Sequence, residues 1–337
     1  MYSKTTFQFF MYTLIIFMVI GGLFTSKVNA EEKVAIVFAT GGLGDKSFND
    51  SAYRGIQEAE EEYGISYDYA EPSAVAEYET YLTQFAQTGE NDLIISIGVD
   101  QADALENVAA SFPDQKFVLV DAEVDQSNVA SYVYKEEQRG FLMGVAAAMM
   151  TTRDEESFIN EEKVIGVVGG REIPLIEANI AGYMEGAKYV DSDIEVKYSY
   201  VGSWSDPSKG KELALSMIED DADVVWQAAG RSGLGVIKAA EEEDVYAIGA
   251  DSDQGHEAPD NVLTNGMKFV DNTVLLAVDQ VINDEFESGT HSLGLADEGM
   301  GYTESLLPEE IVEELDEVKD KIINGDITIS KEIDEVE

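Results

Sequence analysis

The sequence has no cysteine and only two histidines, His256 and His291, among its 337 residues. Without cysteine the chain can form no disulfide, no thiolate nucleophile, no cysteine-based zinc site and no lipid-modified cysteine. Two histidines are too few for a histidine-rich metal site and make a Ser-His triad hard to assemble. The composition therefore disfavours these kinds of catalytic and metal site, and we interpret both histidines as surface residues.

Basic residues are also scarce, because 21 Lys+Arg face 68 Asp+Glu and leave a formal net charge of −47. The acids are spread along the whole chain, which predicts a solvated and self-repelling surface. Salt makes such a surface tolerable, since the Debye length falls to about 3 Å at 1 M. We infer a halophilic protein. Nucleic acid binding is disfavoured because the sequence has no basic patch.

Only the first 30 residues contain a long apolar run. Lys4, an almost wholly apolar stretch at 9–24, and Val28-Asn29-Ala30 before Glu31 form the pattern of a secretory signal. The run is near the lower limit for a membrane-spanning helix, so an uncleaved anchor is the alternative. We expect an extracytoplasmic protein, either secreted or held at the outer face of the cell membrane.

The stretch 41–49, GGLGDKSFN, lies between a short apolar run at 34–38 and a helical pattern. Ser47, followed by Asp50 three residues later, predicts a helix N-cap with an acidic partner. The stretch is therefore interpreted as a strand-to-helix turn at the carboxyl end of the first strand. Open α/β sheets bind their ligands at that edge.

Two residues of this turn are candidates for ligand contact. Phe48 offers a flat face and Asn49 offers a hydrogen-bond donor and acceptor, although Phe48 fits equally well as a core residue below the loop. Asp45 stands where a phosphate-binding P-loop requires glycine, and its carboxylate would repel a phosphate. The turn is therefore not predicted to bind a nucleoside triphosphate.

Short apolar runs alternate with helical patterns in two consecutive sets along the chain. This alternation predicts an α/β protein with two doubly wound, parallel-sheet lobes. Asp121 and Asp251 each end a predicted strand, so both are expected at the ligand-binding edge. For Asp121, a structural role in the loop is an equally good interpretation.

The predicted lobes are discontinuous in sequence. Their limits are a signal segment at 1–30, a first lobe at 31–133 plus about 262–290, a second lobe at 134–261 plus about 291–330, and a loose tail at 331–337. Several crossings between the lobes would form a hinge. Neither the dinucleotide-binding motif Gly-x-Gly-x-x-Gly after a first strand nor the Gly-x-Ser-x-Gly motif of serine hydrolases is present.

From about residue 33 to 330 the chain resembles the basic membrane protein family, solute-binding proteins that include a purine nucleoside receptor. The matching segments, in order, are GGLGDKSFNDSAYRG, the strand ending at Asp121, KEEQRGFLMG, GVVGGREIP, VGSWSDPSKGKELA, AAGRSGLGVIKAA, GADSDQ, TNGMKFVDNTV and IINGDITIS. The resemblance implies a type I periplasmic-binding-protein fold that closes on a solute. It also implies a monomer that delivers its ligand to the membrane permease of an ABC importer. Such a receptor is not an enzyme, so we expect no catalytic residues, no metal and no cofactor.

The resemblance implies a nucleoside site between the lobes. Two aromatic residues, here Phe48 and Trp204, would stack on the base, while Asp251 and Lys268 would hold the ribose hydroxyls. Core packing is the alternative for Trp204, and a surface position is the alternative for Lys268. The full set of candidate ligand-binding residues is Phe48, Asn49, Asp121, Trp204, Gly230, Asp251 and Lys268.

Two alternatives to a purine nucleoside remain. Many relatives carry Asp where this chain has Ala39, whose side chain can neither donate nor accept a hydrogen bond, so this difference bears on the base preference. A receptor for another small solute, such as a sugar or a signalling furanose, is the separate alternative. The segment 251–255 echoes the calcium-binding loop of nucleoside hydrolases, but Glu257 and Ala258 replace the adjacent aspartates of that loop. It also lies far from the first strand, where the hydrolase loop belongs.

Overall fold

A computed structural model describes residues 32–153 and 155–336, so the predicted signal segment at 1–30 lies outside the described residues. The strands are β1 (Lys33–Val37), β2 (Ser66–Ala70), β3 (Leu93–Ile97), β4 (Phe117–Val120), β5 (Val129–Tyr134), β6 (Val164–Gly169), β7 (Glu195–Tyr200), β8 (Val224–Ala228), β9 (Tyr246–Asp251), β10 (Val262–Lys268), β11 (Gly289–Leu293) and β12 (Met300–Tyr302). The α-helices are α1 (Phe48–Tyr63), α2 (Tyr78–Thr88), α3 (Ala102–Ser111), α4 (Glu136–Thr151), α5 (Pro174–Val190), α6 (Pro207–Glu219), α7 (Gly233–Glu242), α8 (Val270–Ile282) and α9 (Glu309–Ile323).

The strands form two six-stranded sheets, one in each lobe. The first has the order β11-β5-β4-β3-β1-β2, and the second has the order β12-β10-β9-β8-β6-β7. All pairs are parallel except β10 with β12, which is antiparallel. The predicted pair of doubly wound lobes is therefore present, with the carboxyl ends of the parallel strands of each sheet at one edge.

Burial explains why the strands are short and apolar. In β3 (LIISI) and β4 (FVLV) every residue is buried, because helices cover both faces of the sheet. The edge strands β2 and β7 are only partly buried and contain polar and tyrosine residues. Within the described part of the chain, the structure contains no helix that is both long and apolar enough to span a membrane.

The chain passes between the sheets three times: between β5 and α4, between β10 and α8, and between β11 and β12. Helix α8 packs against α1 of the first lobe, whereas α9 packs against α4 of the second. The first and third passages are bonded to each other, since the Lys135 amide donates to the Leu293 carbonyl at 2.9 Å. Three adjacent connections thus form the hinge.

Two predicted limits were wrong. The prediction placed 262–290 in the first lobe and 291–330 in the second, but β10 pairs with β9 in the second sheet and β11 pairs with β5 in the first. The predicted loose tail is also wrong for residues 331–336. Val336 is buried, and the Lys188 ammonium donates to its carbonyl, so contacts with α5 fix this segment. The other lobe limits remain predictions.

Candidate functional site

A cleft of about 660 Å³, measured to its open mouth, lies between the two sheets at the carboxyl ends of their strands. Residues of both lobes line it, and they include the whole predicted set: Phe48, Asn49, Asp121, Trp204, Gly230, Asp251 and Lys268. The structure therefore brings the seven candidates together, and their roles in binding remain predictions.

The turn at 41–49 is organised by Asp45 rather than by the predicted pair of Ser47 and Asp50. The Asp45 carboxylate accepts hydrogen bonds from the amides of Ser47, Asn49 and Asp50 at 2.8–3.1 Å, which satisfies the free N–H groups at the start of α1. Burial raises the pKa of Asp45 to about 6 despite these bonds. Ser47 is the N-cap by position, but its side chain makes no capping bond.

The Ser47 hydroxyl instead forms a hydrogen bond to the other lobe, across the cleft. It donates to Asp251 Oδ2 at 2.6 Å, and it lies 3.1 Å from the carbonyl oxygen of Ala250. In return, the Ser252 hydroxyl donates to the Ser47 carbonyl at 3.0 Å. The first turn of α1 is thereby bonded directly to the end of β9 in the other lobe.

The Asn49 side chain stabilises the same turn through two hydrogen bonds. Its Oδ1 accepts from the Ala39 amide at 2.8 Å, and its Nδ2 donates to Asp45 at 3.0 Å. The side chain is buried and lines the cleft. The two hydrogen bonds of the Asn49 side chain therefore fix the backbone of Ala39 and the Asp45 carboxylate in place.

Phe48 and Trp204 line the cleft from opposite lobes. Each is only partly buried, so neither is an enclosed core residue, although both pack against the core on one side. The Lys268 ammonium lies 5.3 Å from the centroid of the Phe48 ring. The Trp204 indole lies on Gly170, where an added Cβ would be 2.3 Å from the ring, and its Nε1 donates to Asp100 at 3.3 Å.

A continuous series of buried ion pairs forms one end of the cleft. Lys268 Nζ lies 3.0 Å from Asp121 Oδ2 and 2.5 Å from Glu136 Oε1. Glu136 Oε2 lies 2.8 Å from Arg139 Nη2, and Arg139 Nη1 lies 2.6 Å from Asp251 Oδ1. Lys268 is 2 % exposed, which rules out its alternative interpretation as a surface lysine. We call these five residues the ionic chain.

The carboxylates at the two ends of the ionic chain have opposite electrostatic environments. Burial opposes the ionisation of Asp251, but Arg139, Lys268 and the Ser47 hydroxyl outweigh it and hold its pKa below the usual value. At Asp121 burial dominates over the attraction of Lys268 and raises the pKa to about 6. Lys268 is also buried, but Asp121 and Glu136 raise its pKa. The ammonium therefore stays charged.

Several further contacts join the lobes at the cleft. Arg171 of the second lobe pairs with Asp100 of the first, and Arg231 donates to the Gly41 carbonyl at 3.0 Å. Outside the cleft, Arg54 of α1 donates to the Ser252 hydroxyl at 3.1 Å. The described conformation is thus a closed one, in which the lobes are bonded to each other.

The sequence interpretation missed several residues of the site. Glu136 and Arg139 belong to the segment KEEQRGFLMG and lie in a helix that is otherwise apolar and rich in alanine and glycine, which was an available signal. Arg171 and Arg231 follow strands at the ligand edge, in a chain with only 21 Lys+Arg. Because lysine and arginine are rare in this chain, each one that follows a predicted strand was a candidate for the ligand site.

The acids of the segment 251–255 are bonded within their own loop and in the ionic chain. Among the described residues, no three or more His, Asp or Glu side chains are grouped so that they could hold a metal ion. In the segment 251–255, Asp253 Oδ1 instead accepts from the Gly255 amide at 2.9 Å and from Asn265 Nδ2 at 3.2 Å. Asp253 therefore serves to hold its own loop.

Comparison with known proteins gives consistent matches over almost the whole described chain. Residues 32–332 match the Bmp family model, described as ABC transporter substrate-binding protein PnrA-like. An uncharacterized lipoprotein of Pyrococcus abyssi is 32% identical over 84% of this chain and 72% of its own length. The ABC transporter nucleoside-binding protein BmpA of Lactococcus lactis is 33% identical over 90% of this chain and 91% of its own.

Solved structures agree with these matches. An ABC transporter solute-binding protein of Aeropyrum pernix superimposes with a TM-score of 0.82 at 30% identity, covering 89% of this chain and 93% of that one. A sugar-binding protein of an ABC transporter from Bacillus halodurans, at 15% identity, has a TM-score of 0.63 and so shares the fold. The predicted type I periplasmic-binding-protein fold is confirmed.

Proposed function

The chain belongs to the Bmp family of PnrA-like ABC transporter substrate-binding proteins, and we propose that it binds a nucleoside, preferably a purine nucleoside, between its lobes. Proteins of this kind carry a solute to a transporter and do not transform it, so the chain is not an enzyme. The calcium-assisted hydrolase alternative is therefore dropped. The nucleoside, and its delivery to the membrane permease of an ABC importer, are the specific parts of the proposal.

The observation that carries the proposal is the division of the cleft into an aromatic part and a charged part. Phe48 and Trp204 line it from different lobes, and Asp251 and Lys268 lie in the buried ionic chain. A nucleoside has the same division, because its base is flat and apolar on both faces while its ribose carries hydroxyls. Stacking of a base on an aromatic ring contributes about 1–3 kcal/mol.

The charged end fits the ribose hydroxyls. Asp251 offers acceptor oxygens and Lys268 offers donor hydrogens, so a pair of neighbouring hydroxyls can both donate and accept there. Both side chains are already paired with protein groups, which fixes them in place before the ligand arrives. A ligand without hydroxyls would leave polar groups unmatched, at a cost of about 1–3 kcal/mol for each buried group.

The edge of the base has fewer fixed partners. The methyl group of Ala39 cannot form a hydrogen bond, and the amide of Ala39 is bonded to Asn49. We therefore expect stacking and sugar contacts to supply most of the affinity. On this basis inosine, guanosine and adenosine should bind within about tenfold of one another, a difference of about 1.4 kcal/mol.

The test is calorimetric titration of the purified protein in about 1 M KCl with inosine, adenosine, uridine, hypoxanthine and ribose, since at that salt the acidic surface is screened. The proposal predicts that the purine nucleosides bind more tightly than hypoxanthine or ribose alone. If ribose or another sugar bound and no nucleoside did, the chain would be a receptor for a different solute.

The proposal also places the protein outside the cytoplasm, at the membrane. Three of the relatives, all from Pyrococcus species, are named lipoproteins, but this chain has no cysteine to carry a lipid. If the segment 1–30 is retained, it would serve as the anchor. Mass spectrometry of the protein from isolated membranes would give its N-terminal residue, and a start at Glu31 would show that the segment is removed.

A further inference from the structure

The two charges at the middle of the ionic chain, Glu136 and Arg139, have no role in the function proposed above. Both side chains are 3% exposed, and only Arg139 lines the cleft. We infer that Arg139 is a positioning residue for the sugar end of the site: it holds the Asp251 carboxylate in the orientation that receives the ribose hydroxyls. This inference rests on the proposed nucleoside function.

Arg139 is positioned from three directions. Its Nη1 binds Asp251 at 2.6 Å, its Nη2 binds Glu136 at 2.8 Å, and its Nε donates to Asn179 Oδ1 at 3.1 Å. The guanidinium also lies 5.9 Å from the Trp226 ring. A planar guanidinium can direct donors to three acceptors at once, whereas an ammonium is a single point charge. The site therefore depends on arginine and not only on a positive charge.

Close packing of two helices supplies the third partner. Asn179 lies on α5, and a Cβ at Gly140 of α4 would be 2.1 Å from the Asn179 carbonyl oxygen. Similarly, a Cβ at Gly182 of α5 would be 2.2 Å from the Glu137 carbonyl oxygen. Since glycine lets these helices approach, Asn179 Nδ2 also reaches Glu136 Oε2 at 3.0 Å. The helix pair thus holds both Arg139 and Glu136.

Glu136 connects Arg139 to the other sugar-binding candidate. Its Oε1 lies 2.5 Å from Lys268 Nζ, as an ion pair rather than an aligned hydrogen bond. Glu136 is the first residue of α4, after one passage between the lobes, and Lys268 is the last residue of β10, before another. The positions of Asp251 and Lys268 are therefore tied together at the hinge, with Arg139 and Glu136 as the link.

The variant that tests this is Arg139→Lys, with inosine and 2′,3′-dideoxyinosine as ligands. Lysine keeps the charge but cannot bind Asp251, Glu136 and Asn179 together, so inosine affinity should fall at least about tenfold, the lower limit for losing one charged hydrogen bond. Dideoxyinosine lacks the two hydroxyls, so its affinity should stay within about twofold. Equal losses for both ligands would overturn the inference.

The matched control is Arg153→Lys, just after the same helix. Arg153 pairs with Glu156 and Glu310 and lies outside the cleft lining, so inosine affinity should not change. Glu136→Gln is the second variant, in case Arg139→Lys does not fold. It removes the charge that holds Lys268 and should also reduce inosine affinity more than dideoxyinosine affinity; an equal loss would again contradict the inference.

A measurement without ligand separates this inference from the proposed function. Arg139→Lys, Asp251→Asn and the double variant are compared by chemical unfolding. If Arg139 holds Asp251, the double variant loses less stability than the sum of the single losses. Additive losses overturn the inference whether or not a nucleoside binds, whereas a wild-type protein that binds no nucleoside rejects only the proposed function.

Discussion

The two lobes share a strand order but contribute opposite charges to the cleft. Asp121 directly follows β4 of the first sheet and Asp251 ends β9 of the second, and these strands have equivalent places in the two strand orders. Both residues have left-handed backbones, with φ of 74° and 66°. Their environments differ, because the cations that line the cleft, Arg139, Arg231 and Lys268, all come from the second lobe. Equivalent backbone positions have thus acquired different electrostatics.

This difference makes the lobes complementary where they meet. The first lobe supplies acceptors, namely the Gly41 carbonyl, Asp100 and Asp121, and the second lobe supplies the donors that bind them. Ser47 and Arg54 are exceptions, since they donate from the first lobe to Asp251 and to the Ser252 hydroxyl. A protein with a net charge of −47 can therefore close its cleft through local attraction.

The largest effect is expected from comparing Asp251→Asn with Asp121→Asn. Asp251 has a lowered pKa and a direct bond to Arg139, so neutralising it breaks a buried charge pair. Asp251→Asn also replaces the charged acceptor of the ribose hydroxyls, so we expect nucleoside binding to lose about 1.5–3 kcal/mol for each charged hydrogen bond that is lost. The pKa of Asp121 is raised to about 6, so its charged form is less strongly stabilised than that of Asp251. Asp121→Asn should therefore weaken nucleoside binding less than Asp251→Asn does. Calorimetry with inosine and hypoxanthine measures both.

The hypoxanthine titration is the control for this pair. Asp251→Asn should weaken inosine much more than hypoxanthine, because only inosine carries the ribose. Equal losses for the two ligands would place Asp251 away from the sugar. A larger effect for Asp121→Asn than for Asp251→Asn would reverse the comparison of the lobes.

The second effect concerns the aromatic residue of the second lobe. Trp204→Ala should weaken nucleoside binding by about 1–3 kcal/mol through lost stacking. Gly170→Ala should have a similar effect with the tryptophan still present, since a Cβ at 170 would lie 2.3 Å from the indole and displace it. Isothermal titration with inosine checks both variants.

Gly255→Ala is the matched glycine control, because the nearest atom to its Cβ is the Asp253 carboxylate oxygen at 3.2 Å. Its inosine affinity should equal that of the wild type. If Trp204→Ala bound inosine normally, the indole would be a wall of the cleft without a stacking role.

The third effect compares a buried acid of each lobe. Burial raises the pKa of Asp45 in the first lobe to about 6 and that of Asp223 in the second to about 7. Since both folded pKa values lie above the unfolded value, the stabilisation is complete below pH 4 and is lost as the pH rises through 6 to 7. Each pH unit in this window is worth up to about 1.4 kcal/mol per group.

Thermal unfolding between pH 5 and 8 should therefore show a Tm that rises as the pH falls. Asp223→Asn should flatten this dependence most between pH 5 and 7, because the amide does not titrate. An unchanged slope in this variant would mean that Asp223 titrates normally in the folded protein.

The smallest effect is expected at the mouth of the cleft. The side chains of Arg171 and Asp100 are 37% and 18% exposed, so water screens their pairing. The ion pair should stabilise the bound state by about 0.2–1 kcal/mol, and Arg171→Gln should increase the dissociation rate of the nucleoside correspondingly. Stopped-flow dissociation at low and high salt gives the rate, and the difference between variant and wild type should shrink as salt increases.

Much of the fold followed from local patterns. The runs FVLVD and YAIGAD showed that Asp121 and Asp251 end buried strands, and the structure has both at the expected edge. The lobe to which β10 belongs could not be predicted from local patterns. Its pairing with β9 is a contact between two strands, and the residues of β10 alone do not indicate it. The resemblance implied the seven candidate residues together, and the cleft contains all of them.

The missed details share a physical cause. Ser47 fits the capping position in sequence, but its hydroxyl donates to Asp251 across the cleft at 2.6 Å, and Asp45 accepts the amides at the start of α1 instead. Arg139 depends on Asn179, which is reached only because glycines let α4 and α5 pack closely. Such roles depend on neighbours that are distant in sequence.

The central claim is that a ring from each lobe holds the ligand, and tryptophan fluorescence tests it most directly. The chain has two tryptophans, and Trp226 is fully buried while Trp204 lines the cleft. Titration with inosine in molar KCl should change the emission of the wild type saturably and leave Trp204→Phe without a response. Saturable binding by calorimetry with no change in the wild-type emission would contradict the claim.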